Sequence, residues 1–227
     1  MATSQKVIAK FRRRLGDGVK HHEELMNAVQ GKRVQASLET ILVEQLVMSV
    51  GVIWEAFLSD LLVAYVVAGP GRYLTDLRRR VEQSVETKFG VRVSRLIRFA
   101  APPRLTALQA VGLLDPKGWN VTASSATDLA SRANSLLAAP HARKFSLDSD
   151  DGELVDVLVA IRNYLGHRSR GSRAALKEVV GRLSGPTNAS LRGTVRNVGS
   201  YLKARDANGR TRARFIAERV SDICAKL

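Results

Sequence analysis

Arg162, Asn163 and His167 stand within one six-residue run, Arg162-Asn163-Tyr164-Leu165-Gly166-His167. Each residue type has a role in phosphoryl chemistry. A guanidinium grips phosphate oxygens in a two-pronged fork and stabilises the charge that builds on them. An imidazole titrates near neutral pH, so it takes a proton from a hydroxyl or gives one to a leaving oxygen. A carboxamide can hydrogen-bond a ring nitrogen and fix the tautomer. RNA supplies its own nucleophile to such a site. Its 2′-hydroxyl attacks the adjacent phosphorus, a 2′,3′-cyclic phosphate results, and no metal is required. DNA has no such hydroxyl.

Something must hold these groups, and the sequence around them reads as a helix. Leu154, Leu158, Ile161 and Leu165 form one apolar stripe at helical spacing, over a helix expected from Gly152 to Leu165. Asp150 and Glu153, three apart, have the spacing of a capping box at its start. Gly166 marks where the helix is expected to loosen. Asn163 and His167 share a face of an ideal helix. Arg162 and His167 do not, being separated by about 140° of rotation. They meet in one pocket if the helix end relaxes at Gly166, or if two copies pack these helices across a two-fold axis. Spacing alone leaves an ordinary alternative open, because cations are favoured at any helix C-terminus.

Nearly every other segment also reads as helix. The expected elements are Ser4 to Ala28, Val34 to Val67 before the stop Gly69-Pro70-Gly71, Tyr73 to Phe89, and Val91 to Ala100 before Pro102-Pro103. Arg104 to Leu114 is a further short helix. Lys117 to Val121 is a loop, in which Trp119 is expected as a packing anchor. Ala126 to Ala139 is helical, capped by Ser124 or Ser125 and followed by Pro140. Ser172 to Leu183, Leu191 to Lys203 and Thr211 to Lys226 complete the series, with Asn208-Gly209 as a turn. No strand alternation or internal repeat is present. The expected fold is all-α, an up-and-down helical bundle formed by a single domain over 1–227, with an insertion around 70–149.

Apolar residues make up 45% of the chain, which excludes general disorder, whereas aromatics make up only 5%, so the core must rest on Leu, Val, Ile and Ala. There are 36 basic residues against 21 acidic ones, a net charge of +15. The arginines cluster at Arg12-Arg13-Arg14, Arg78-Arg79-Arg80, Arg92/Arg95/Arg98 and Arg210/Arg212/Arg214. That excess suits a nucleic-acid partner, although a solvated basic surface has the same composition. The lone cysteine, Cys224, allows no intrachain disulfide and fits a reducing compartment. No apolar region follows the basic N-terminus, so no secretory signal is expected and the location is read as cytoplasmic. Ile41 to Ala68 has the length of a membrane span, but Glu44, Gln45, Glu55, Ser59 and Asp60 interrupt it; a buried core helix and no membrane are expected.

Phosphate-loop, dinucleotide-binding, C-x-x-C and H-E-x-x-H motifs are all absent, and no cofactor is expected. His21-His22-Glu23-Glu24 resembles a metal cluster only superficially, since adjacent helix residues diverge by about 100°. A solvated charged face is the expectation there, and no metal.

The run Val159 to Ser169 resembles the signature of HEPN domains, in which an arginine, four to six residues, and a histidine follow one another, with a polar residue often directly after the arginine. Here the gap is four and the polar residue is Asn163. Trp54-Glu55-Ala56-Phe57-Leu58 resembles the long apolar helix that precedes the motif helix in this family, and Val198 to Ala204 resembles the tail of members related to the RiboL-PSP group. The resemblance implies a helical bundle, a homodimer formed through the motif helices, and metal-independent endoribonuclease activity, often within toxin–antitoxin or antiphage defence. It makes Arg162 and His167 the catalytic pair and Asn163 their supporting polar residue. Some HEPN toxins carry a tyrosine two residues after the histidine, which a partner nucleotidyltransferase modifies. Ser169 stands there in this chain, so that kind of antitoxin is not implied.

Other residues join the site as candidates. Glu44, Gly51, Glu55 and Ser59 form a narrow polar stripe on the apolar helix. A carboxylate there needs a partner, so Glu55 either orients Arg162 or pairs with another arginine. Tyr164 stacks on a base or packs at an interface. Arg168, Arg170 and Arg173 are candidate phosphate-tracking groups on RNA. Two other functions are compatible with the same residues: a non-catalytic helical module binding RNA or a regulatory protein, and a DNA-binding regulator using Thr127 to Ala139 or the C-terminal helices.

Overall fold

A computed structural model describes residues 3–100, 102, 104–115 and 121–227; Trp119 and Asn120 of the expected loop lie outside them. One helix organises the rest. It is α2, Gln35–Ala68, whose 34 residues run about 51 Å. Its apolar residues point in most directions, because helices cover it on several sides. Val43, Leu46, Val50, Trp54, Leu58, Leu61 and Leu62 are all buried. Against it pack α1 (Ser4–Ala28), α8 (Ser149–His167), α10 (Val198–Lys203) and α11 (Arg212–Lys226). α11 also touches α1 and α8, which closes the core. α2 is long and apolar enough to cross a bilayer, but more than half of its most apolar window is buried in protein.

Aromatic contacts fix α1 on α2. Phe11 lies 4.4 Å from Phe57 and 5.9 Å from Trp54, centroid to centroid, and the last is edge-on. Trp54 and Glu55 are neighbours on a helix, so their side chains diverge by about 100°. Trp54 therefore meets α1 while Glu55 meets α8.

The chain between 70 and 149 holds α3 (Gly71–Phe89), α4 (Val91–Ser94), α5 (Ala107–Leu114), α6 (Ala126–Leu136) and α7 (Ala139–Ala142), followed by a 3-10 turn over Arg143–Phe145. Tyr73, Leu105, Ala110, Leu129 and Phe145 join the same core as α2 and α8. Among the described residues, the outer part of α3, α4 and the segment 95–98 after it bury no side chain in that core.

Most helices open on a polar cap. Thr106 and Gln109 form a reciprocal capping box at α5, and Ser125 caps α6. At α8 the cap is Asp148, not Asp150, and its carboxylate accepts from the Asp151 N–H at 2.8 Å. Asp150 and Glu153 instead reach across the fold. Asp150 accepts from the Thr187 N–H, and Glu153 accepts from the Ser184 hydroxyl and the Ser184 and Gly185 N–H groups. α9, Arg170–Gly181, follows after two residues with Ser169 as its cap.

Three expected helices differ. Val91 to Ala100 is helical only to Ser94, because almost nothing packs on it and short helices do not persist without tertiary support. Leu191 to Lys203 splits into a 3-10 turn, Pro186–Leu191, an extended link, and α10; Gly193 at φ 135° is incompatible with helix. Pro140 lies within the first turn of α7 instead of following α6, a position where proline's missing N–H costs nothing. His22, expected on a solvated face, is buried, and burial lowers its pKa.

Candidate active site around Arg162 and His167

Arg162 is seated by α2. The helices approach so closely at Gly51 that a Cβ there would fall 2.8 Å from Arg162 Cγ and 2.9 Å from its Cβ. The arginine stem lies over this gap, and its guanidinium reaches Glu55 and Asn163. Nη2 donates to Glu55 Oε2 at 2.8 Å, and Nη1 donates to Asn163 Oδ1 at 3.1 Å. Its Nε is buried and donates to nothing among the described residues. Of the two roles open to Glu55 in the sequence, pairing with Arg162 is the one found. Burial raises the Glu55 pKa, and the Arg162 charge opposes the rise.

The structure corrects two expectations at the motif. Gly166 does not loosen the helix. α8 continues through His167, and the Arg168 N–H bonds the Tyr164 carbonyl at 2.7 Å. Met48 sits over Gly166, where a Cβ would meet its methyl at 3.8 Å. The 140° offset between Arg162 and His167, about that of an ideal helix, therefore persists. Asn163 serves Arg162 rather than the imidazole, which makes no hydrogen bond to it among the described residues. His167 is exposed in the last turn.

Arg168 is the helix cap, left-handed at φ 50°. Its guanidinium pairs with Glu44 at 2.5 Å and covers the Tyr164 ring at 5.4 Å. It is thus engaged within the fold, and Tyr164 packs under it, partly buried against the core. Arg173 donates to the Arg196 carbonyl at 2.7 Å. Arg170 is exposed and has no partner among the described residues. Glu44 was legible only as a member of the polar stripe. What assigns it is its ion pair with Arg168; beside that pair, Gly199 on α10 has no side chain, and α10 lies close over Thr40 and Glu44. Ser59, the last of the stripe, lies elsewhere, accepting from the Val121 N–H.

The distant arginines divide. Arg210 pairs with Asp206 and Glu218, Arg214 with Glu23 and Glu218, and Arg212 donates to the Ser190, Arg192 and Tyr201 carbonyls. These contacts hold the turn between α10 and α11 in place, and the cluster is not a free basic face. Arg12, Arg13 and Arg14 on α1 are exposed. Among the described residues no three of His, Cys, Asp and Glu gather as a metal would need.

No family model matches the chain, and no curated protein or solved structure matches it either.

Proposed function

We propose that this chain is a HEPN-like, metal-independent endoribonuclease, acting in the cytoplasm as a toxin or antiphage effector. The observation that carries the reading is the Arg162 guanidinium, held by Glu55 and Asn163 at a helix end that also exposes His167. In this mechanism the RNA 2′-hydroxyl attacks phosphorus while an imidazole takes its proton. The 5′-oxygen leaves with a proton, and a cyclic phosphate and a free 5′-hydroxyl result. Arg162 stabilises the charge on the phosphoryl oxygens.

Because α8 stays helical through His167, one copy presents the two groups at different angles. A homodimer across α8 answers this, with each copy completing the other's site. Ile41 and Val52, exposed on α2, and the partly buried Met48 give an apolar strip beside the motif that such a dimer would cover.

The experiment is cleavage of total RNA and tRNA by the purified chain in EDTA, beside His167→Ala. The wild type is expected to cut and to leave cyclic phosphate ends, and the variant to lose at least about a hundredfold in rate. If neither protein cuts while both fold and dimerise, the catalytic reading fails.

A further inference from the structure

Apart from the motif, the least satisfied surface lies at the far end of α3. Five of the twelve exposed large apolar side chains among the described residues fall between 89 and 97: Phe89, Val91, Val93, Leu96 and Ile97. Leu96 is 81% exposed and Phe89 67%. Cations are interleaved with them at Lys88, Arg92, Arg95 and Arg98, and the sequence has no anion between Glu86 and Asp115. None of these four forms an ion pair among the described residues, although Arg78, Arg79 and Arg80 nearer the core are all paired with Asp76 or Glu82. The segment has defined structure. Gly90 turns the chain at φ 84°, and the Leu96 and Ile97 N–H groups bond the Val93 and Ser94 carbonyls. α3 carries it outward, because Tyr73, near the helix start, is the only buried residue of that helix.

From this juxtaposition we infer that residues 88–98 dock on an anionic lipid surface. Aliphatic side chains lose water by entering the headgroup boundary, and arginines beside them bury their stems while meeting lipid phosphates. Charge disfavours a symmetric contact with a second copy, which would bring four cations to four with no anion in the segment. RNA is the weaker fit, because Val91, Val93, Leu96 and Ile97 have no counterpart on a phosphate backbone. This is attachment to a surface, separate from the buried α2, and it does not depend on the ribonuclease reading.

Flotation of the full chain tests it, with neutral phosphatidylcholine vesicles beside vesicles holding about a quarter phosphatidylglycerol, at roughly 0.15 M salt. The protein is expected to float with the anionic vesicles only. The variant Phe89→Ser/Leu96→Ser/Ile97→Ser is expected to bind them at least about tenfold more weakly, with its helical CD signal and melting temperature unchanged. Arg92→Gln/Arg95→Gln/Arg98→Gln is expected to weaken binding as much. Failure of the wild type to float overturns the inference. So does full binding by the apolar variant, which would be the attraction of a +15 chain to any anion. Substitutions that weaken RNA binding and leave vesicle binding intact would assign the segment to nucleic acid instead.

Discussion

Glu55 and Arg162 form the most consequential single contact of the site. The carboxylate is partly desolvated, which raises its pKa, and among the described residues it pairs with Arg162 alone, at 2.8 Å. Its stabilising effect is therefore largest at low pH, where it is protonated, and is lost as pH rises through its raised pKa. Glu55→Gln keeps an acceptor for Arg162 without the partly desolvated charge. Thermal melting at neutral pH is expected to be unchanged or higher in that variant, while cleavage falls by about tenfold or more because the guanidinium loses its ionic anchor. Full activity in Glu55→Gln would remove the residue from the mechanism. Glu153 behaves oppositely. Burial pushes its pKa up, but hydrogen bonds from Ser184, Gly185 and Asn188 outweigh this and hold it at about 2. The stabilisation is present above the ordinary value of 4.5 and is lost as pH falls from there toward 2. Glu153→Gln is expected to cost about 1–2 kcal/mol at pH 7, and the difference from wild type should shrink on acidification in a denaturant titration.

At the scale of elements, the distance between α2 and α8 is set by Gly51. The same substitution should act with opposite signs at two glycines. At Gly16 on α1 a Cβ meets nothing within 4 Å, so Gly16→Ala is expected to stabilise by about 0.5–1 kcal/mol through helix propensity. At Gly51 the added carbon would strike the Arg162 stem, so Gly51→Ala should destabilise by about 1–2 kcal/mol despite that gain. It should also lower cleavage, since the guanidinium moves with its stem. Equal melting shifts in the two variants would show that α8 gives way without cost. The sequence placed Gly51 on a stripe with Glu55, but a glycine at helical spacing does not say which neighbour comes close. Gly199 was equally opaque until α10 was seen against Thr40. The same limit applies to Leu191–Lys203, where a helix is expected and the backbone at Gly193 forbids a continuous one.

For the whole molecule, +15 is an average over arginines with different duties. Arg210, Arg212 and Arg214 are consumed by carboxylates and carbonyls, whereas Arg13 and Arg170 have no partner among the described residues. RNA affinity is expected to fall steeply with salt. About four phosphate contacts would weaken it roughly fiftyfold between about 50 and 200 mM. Arg13→Gln and Arg170→Gln should each flatten that dependence, measured by titrating RNA at several salt concentrations. Arg212→Gln should lower the melting temperature instead. A salt-independent affinity would remove electrostatic steering from the account.

The sequence by itself determined the all-α class, most helix positions and the charge excess. These follow from local rules: apolar periodicity, capping side chains and composition act within a few residues of each other. Only the tertiary structure decided that Asn163 holds Arg162 rather than His167, that Glu44 claims Arg168, and that the Arg210 cluster is structural. Each of these depends on which side chain from a distant segment arrives within hydrogen-bond reach. That is set by helix packing, above all by the close approach at Gly51, and a one-dimensional pattern carries no record of it.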